Sequence, residues 1–230
     1  LGRKKKHKTH SEPDYFARIT GILGLILAIV AIIVPVWQDS VNEQERLSVW
    51  MRPNSGGIVM IPDDRTRSSV VQVPWLFTLS NTGKVKLSIT GYDVFQVKNG
   101  GLSRFPNMVG FIRNPDDSLV VPPITLDAGE SKTIKMHLGF RAKENVLDKL
   151  FLLNKNSGAF TLEKSLHVLA KDSLTLYGGQ ASYKNIEGST FITIDPEFNK
   201  IEPVYRVKFV TGRGERFYVQ GSETVSRFGS

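Results

Sequence analysis

VQVPWLFTLSNTGKVKLSITG, running from Val71 to Gly91, is the stretch on which the fold turns. Val71, Val73, Trp75, Phe77 and Leu79 alternate with Gln72, Pro74, Leu76, Thr78 and Ser80. This period of two puts every second side chain on one face of a β-strand, so Trp75 is expected in a core. Asn81, Thr82 and Gly83 follow, residues that tolerate the backbone angles of a tight turn, and Leu87 and Ile89 resume the alternation. Gly91 predicts a bulge or bend.

Working outward, VVPPITLDAGESKTIKMHLGF at 120–140 reads as an extended Pro pair, a turn at Asp127–Glu130 and a strand. That strand carries Ile134, Met136, Leu138 and Phe140 on one face, with Lys132, Lys135 and His137 expected in solvent. Upstream, LSVWM at Leu47–Met51 predicts the first strand, and residues 53–69 read as turn, strand and loop from their Pro, Gly, Asn and Asp content. Downstream, RAKENVLDKLFLLNKN at 141–156 has Val146, Leu147, Leu150 and Leu153 near helical spacing without Gly or Pro, which predicts one short helix. LHVLA (166–170), SLTLY (173–177), STFITI (189–194), YRVKFV (205–210) and ERFYVQ (215–220) read as further strands. The last pair is expected to form a hairpin across Thr211–Gly214. These elements either extend the first sheet pair or close a second small domain.

A strand ending in Asn-Thr-Gly at 81–83, a second strand a few residues later, and the turn Leu126-Asp-Ala-Gly-Glu-Ser131 into an alternating strand resemble immunoglobulin-like β-sandwich domains of bacterial membrane-anchored and surface proteins. The resemblance covers about Leu47–Phe140. It implies a sandwich whose work is binding or spacing, and it assigns neither partner nor site. The Cys…Trp…Cys pattern of antibody-type domains is absent.

Toward the N-terminus, ITGILGLILAIVAIIVPVW from Ile19 to Trp37 carries no charge and is apolar on every face. As a helix it covers about 28 Å, close to the ~30 Å hydrocarbon core of a bilayer. Ile19, Leu23, Leu27 and Ile32 are its apolar anchor residues. Pro35 is expected in its last turn, and Trp37 at the headgroup depth favoured by indole rings. Arg3, Lys4, Lys5, Lys6, Lys8 and Arg18 precede the segment and Asp39, Glu43 and Glu45 follow it, which predicts a cytoplasmic N-terminus and an exported C-terminal part. Tyr15 and Phe16 beside Arg18 fit the inner interface. A cleaved signal peptide is the rival, but its apolar region spans about 7–15 residues before a small-x-small site. Ala28 and Ala31 are three apart, and nothing from Val34 to Ser40 supplies such a site. Gly21 and Gly24 form a small-residue face able to admit a second transmembrane helix.

The expected organisation is a basic cytoplasmic tail (1–18), a span (19–37), a stalk (38–46), a β-sandwich (47–140), and a helix with further strands (141–230) in the same or a second β domain. The fold class is mainly β: an immunoglobulin-like sandwich with additional strands and one short helix, behind a single N-terminal transmembrane helix. The C-terminal part is expected in the periplasm or outside the cell.

The formal charge of +8 suggests polyanions, but much of the excess lies in the run from Arg3 to Lys8. No stripe of basic residues interleaved with aromatics is evident in the sequence, so no nucleic-acid partner is expected. The chain has no cysteine, which excludes disulfides, thiolate metal sites and cysteine nucleophiles. Of its four histidines, His7 and His10 fall in the tail, while His137 alternates with Lys135 on a strand and His167 lies about thirty residues away with no nearby paired carboxylate, so a metal site would need ligands assembled by the fold. Asp63-Asp64 and Asp116-Asp117 follow prolines and read as turns, without the alternation of a calcium loop. Ser131 and Lys132 are adjacent on a strand and point to opposite faces. Gly212-Arg-Gly-Glu-Arg216 lacks the following helix that makes a phosphate loop work.

No catalytic, cofactor-binding or metal residue is expected. The sequence is read as a non-enzymatic, membrane-tethered module with a protein partner, or an accessory subunit of a membrane complex. The alternatives are an exported carbohydrate-acting or carbohydrate-binding sandwich protein and an envelope spacer.

Overall fold

The computed structural model describes residues 15–63, 68–98, 101–104, 112–186, 189–194 and 203–222, in two compact units, Leu1–Gln44 and Glu45–Ser230. The first unit holds helix α1 (Tyr15–Asn42). Its segment Arg18–Trp37 is long and apolar enough to cross a membrane, and none of it is buried. Pro35 lies inside α1 and not in its last turn, because the helix continues through Gln38-Asp-Ser-Val-Asn42. Those five residues contain no glycine or second proline, so the helix resumes after the single bond that Pro35 removes.

The second unit is mainly β. Its strands are β1 (Leu47–Pro53), β2 (Val70–Asn81), β3 (Leu87–Lys98), β4 (Gly101–Arg104), β5 (Ile112–Arg113), β6 (Leu119–Val120), β7 (Ile124–Leu126), β8 (Ser131–Arg141), β9 (Ala181–Ile186), β10 (Ser189–Ile194), β11 (Val204–Thr211) and β12 (Arg216–Gly221). One antiparallel sheet runs β1-β2-β8-β5-β6, and another runs β12-β11-β3-β4 with β7 also on β3. Strands β9 and β10 form a separate hairpin. Thus β3, from before position 140, pairs with β11, from after it.

The alternating residues of 71–91 face inward. Val71, Val73, Trp75, Phe77 and Leu79 are buried, and β8 lies beside them in the register Trp75↔Met136 and Phe77↔Ile134. The two sheets meet over this row. Trp75 stacks edge-on against Tyr205 of β11 at 5.7 Å, and Phe77 against Phe209 at 6.0 Å. The Tyr205 hydroxyl donates to the Gly139 carbonyl at 3.1 Å, satisfying a polar tip inside the core.

Both turns of the family-like pattern are organised by Asn81, which is buried. Its Nδ2 donates to Val85 O at 2.8 Å and to Leu126 O at 3.1 Å. Its Oδ1 accepts from the Gly83 N–H at 3.0 Å. The Asp127–Glu130 turn places Gly129 at φ +78°, a left-handed angle that suits glycine.

Three expectations are corrected. First, LHVLA is not a strand: it belongs to α3 (Leu162–Lys171), which follows α2 (Glu144–Ser157), so the second unit has two helices among the described residues and not one. Thr161 caps α3 by accepting from the Lys164 N–H, and Leu162, Ser165 and Leu169 are buried at helical spacing, a pattern that the five-residue window conceals. Second, SLTLY is a turn region with one bridge, Leu174↔Gln180. Third, β2 is not open on its second face over its first half. Residues 71–75 are all buried, because the segment from Asn54 to Pro62 folds over Gln72 and Pro74. Met60 and Gln72 exchange two backbone bonds, and Asn54 N–H donates to Pro74 O at 2.9 Å. The approach is close enough that a Cβ at Gly57 would lie 2.6 Å from Pro74 Cγ.

Candidate functional site

The residues singled out in the sequence scatter over the structure. Ile19, Leu23, Leu27, Ile32 and Trp37 are exposed along α1 with Pro35 among them. Arg18 lies in the helix, whereas Arg3, Lys4, Lys5, Lys6, Lys8, His7 and His10 lie outside the described residues. Cβ atoms built at Gly21 or Gly24 would meet nothing within 4 Å. Among the described residues no cluster of three His, Asp or Glu is placed to hold a metal ion.

Of the paired acids, Asp116 serves a turn. Asp116 accepts from the Ser118 N–H at 3.0 Å and from its hydroxyl at 2.7 Å, and these bonds hold its carboxyl below the usual range. Asp63 is exposed, and its neighbour Asp64 lies outside the described residues. Residues 211–215 form the hairpin turn, with Gly214 N–H donating to Thr211 O and Thr211 N–H to Glu215 O, both at 3.0 Å.

Lys135 and His137 are corrections, since both are only 5 % exposed. Lys135 is ion-paired with Asp117, presented by the β5–β6 turn. His137 Nε2 lies 3.1 Å from Ile58 O. Burial is the main cause that pushes the His137 pKa down, countered by this hydrogen bond, with Lys135 lowering it further. The outer face of β8 is covered by chain remote in sequence, which its own alternation does not reveal.

Where that covering stops, the first sheet presents an open face. Trp50 of the outermost strand β1 is 60 % exposed. It stands across from Thr78, which stands across from Thr133, and the Arg52 guanidinium lies 5.7 Å from its ring centre. The next row is Ser48, Ser80 and Ser131, in which the Ser131 hydroxyl donates to Ser80 at 2.8 Å. Sequence reasoning placed Trp50 in a strand but missed its exposure, since one residue in a short strand does not disclose which face is covered.

The outer face of the second sheet is different. Lys208 of β11 stands across from Tyr218 of β12 and from Asp93 of β3. Asp93 receives Lys208 at 2.5 Å and Arg104 at 2.9 Å, and the Lys208 bond chiefly holds its carboxyl below the usual range. Arg206 donates through Nε and Nη2 to the Gln220 amide oxygen at 3.2 and 2.9 Å. Phe95 lies beneath Lys208, 5.9 Å from ring centre to Nζ.

A shallow cavity of about 520 Å³ opens between the 59–63 segment and α2, lined by Val59, Met60, Asp63, Gln72, Phe151 and Asn154 among others. Both amide atoms of Gln72 are buried there without a hydrogen-bond partner among the described residues.

No protein-family model matches the chain, and no curated protein matches it. Among solved structures it is similar to the crystal structure of a protein from Archaeoglobus fulgidus, at 13 % identity over 78 % of this chain and 95 % of that one, with a TM-score of 0.28.

Proposed function

We propose that the chain is a single-pass, membrane-anchored, non-enzymatic β-sandwich module that binds a protein partner or serves as an accessory subunit of a membrane complex. The N-terminus is cytoplasmic in this reading and the β unit periplasmic or extracellular, supported by the excess of Lys and Arg before Ile19 and the acids after Trp37. An immunoglobulin-like classification is supported by the order β1-β2-β8 facing β12-β11-β3, which parallels strands A-B-E facing G-F-C of that sandwich. The Gly21 and Gly24 face offers a contact for another helix in the bilayer.

The observation that carries the binding reading is Trp50, exposed on an outermost strand with Arg52 against its ring. Trp and Arg are the residue types that most often dominate protein interfaces, and an exposed Trp costs solvation that a partner recovers. Crosslinking in intact cells, then detergent purification and mass spectrometry, tests it. The expected result is a stoichiometric partner lost in Trp50→Ala and kept when the helix is exchanged for an unrelated span. Capture that survives Trp50→Ala, or no partner at all, overturns it, the latter leaving the envelope-spacer reading. The hydroxyl rows of Ser48, Ser80, Ser131, Thr78 and Thr133 beside Trp50 favour carbohydrate recognition as the second reading. A glycan retained by Trp50 without a protein partner would select it.

A further inference from the structure

The sequence shows no basic stripe because its members are spread over more than a hundred positions, yet pairing of β4, β3, β11 and β12 brings them onto one face. Arg104, Arg206 and Lys208 lie there around Asp93, and Arg216 stands on the same face two strands away from it, on β12. Asp93 is bonded to Lys208 and Arg104, and one negative charge between two cations leaves the cluster positive. The bonds that Arg206 makes to Gln220 orient its guanidinium without neutralising it. Arg216 is exposed, and it neighbours Glu215 and Arg213 of the hairpin turn. On the edge strand β12, across from Lys208 and between Arg216 and Gln220, stands Tyr218, 56 % exposed. Strand geometry spaces these groups by about 5 Å across the sheet and about 7 Å along it, on a backbone too well paired to rearrange.

We infer that this face binds an anionic glycan, a chain of sugar rings bearing carboxylate, sulfate or phosphate groups, with Tyr218 as the stacking platform and Arg206, Arg216 and Arg104 as partners of its charges. The complementarity has two parts. The fixed cations match a polymer with repeated negative charge, since charge-assisted bonds from oriented guanidinium groups are the strongest available at a surface. The exposed Tyr218 ring beside them, at the sheet edge, offers a flat apolar surface to the C–H face of a sugar, with a hydroxyl at its rim. Choosing a glycan over nucleic acid rests on the extracytoplasmic placement proposed above. The site is separate from Trp50, which belongs to the other sheet.

The test is binding of the full-length protein, in detergent, to immobilised polygalacturonate, with neutral dextran and a short oligothymidylate as comparison probes. Polygalacturonate is expected to bind and to be released as salt is raised. Arg216→Gln combined with Tyr218→Ala, both at exposed positions, should weaken it at least about tenfold, while Leu152→Ala, at an exposed position of α2, leaves it unchanged. Failure of polygalacturonate to bind, binding indifferent to the double substitution, or dextran bound equally well overturns the inference. Tighter binding of oligothymidylate overturns it too and points to a cytoplasmic β unit, whereas an error in the Trp50 reading shows only in partner capture.

Discussion

The backbone N–H of Gly129 donates to the carbonyl of Asn81 across 2.9 Å, and the Asn81 N–H donates to Glu130 O at the same distance. Two turns separated by nearly fifty residues are thereby one structural unit, closed by the Asn81 amide on Val85 and Leu126. Replacing Asn81 by Ala removes three side-chain hydrogen bonds and strands a buried carbonyl, at a cost of about 2–3 kcal/mol. Gly129→Ala should cost about 1 kcal/mol from its φ alone. Chemical denaturation of the full chain in detergent measures both, and an unchanged midpoint for Asn81→Ala would remove the turn pair from the account of stability.

Gln72 predicts the opposite sign. Its amide is buried with no partner among the described residues, so Gln72→Met, which keeps length and removes the polar atoms, should stabilise the protein by about 1 kcal/mol. For a unit of this size that raises the melting temperature by roughly 2–4 °C. A fall would show that the amide is satisfied in solution.

Asp117 and Lys135 couple a turn to a strand. The lysine is buried while the aspartate side chain is 64 % exposed. Because solvent screens the exposed partner, Asp117→Asn should cost only about 1–2 kcal/mol, below the full penalty of an orphaned buried charge. Lys135→Met in the same chain should recover most of it. If the two losses simply add, the ion pair contributes nothing.

His137 predicts a pH dependence. Its pKa lies below 6.5 in the folded protein, with burial as the main cause, so the folded state binds fewer protons than the unfolded one. The associated stability is complete above about pH 6.5, falls as pH drops toward the lowered folded value, and levels off beneath it. Asp93 works in a lower window, its depressed carboxylate losing stability only in stronger acid. Melting temperatures should therefore decline as pH falls below about 6.5, and His137→Gln, which preserves a donor for Ile58 O, should flatten that decline. An identical slope in the variant would show that other groups set it.

Local pattern made much of the fold legible. Alternation from Val71 to Leu79 and from Ile134 to Phe140 named the inner faces, and Val146, Leu147, Leu150 and Leu153 named the buried stripe of α2. The five residues of LHVLA are compatible with strand or helix, and what separates the two is the cap at Thr161 and the burial of Leu162 and Ser165 outside that window. Neither the open face at Trp50 nor the face of Arg206 and Tyr218 was legible, because each depends on which strands lie side by side.

By itself, then, the sequence determined what is periodic: an apolar helix able to span a bilayer, strands with one apolar face, and turns of Asn and Gly. Tertiary structure decided everything that depends on a second segment. It buried Gln72, Lys135 and His137 beneath chain from 54–62 and 112–117, left Trp50 uncovered, and drew Arg104, Arg206, Lys208, Arg216 and Tyr218 into one surface. The physical reason is that a side chain's direction follows from its own strand, while its solvation follows from whatever distant residues pack against that face.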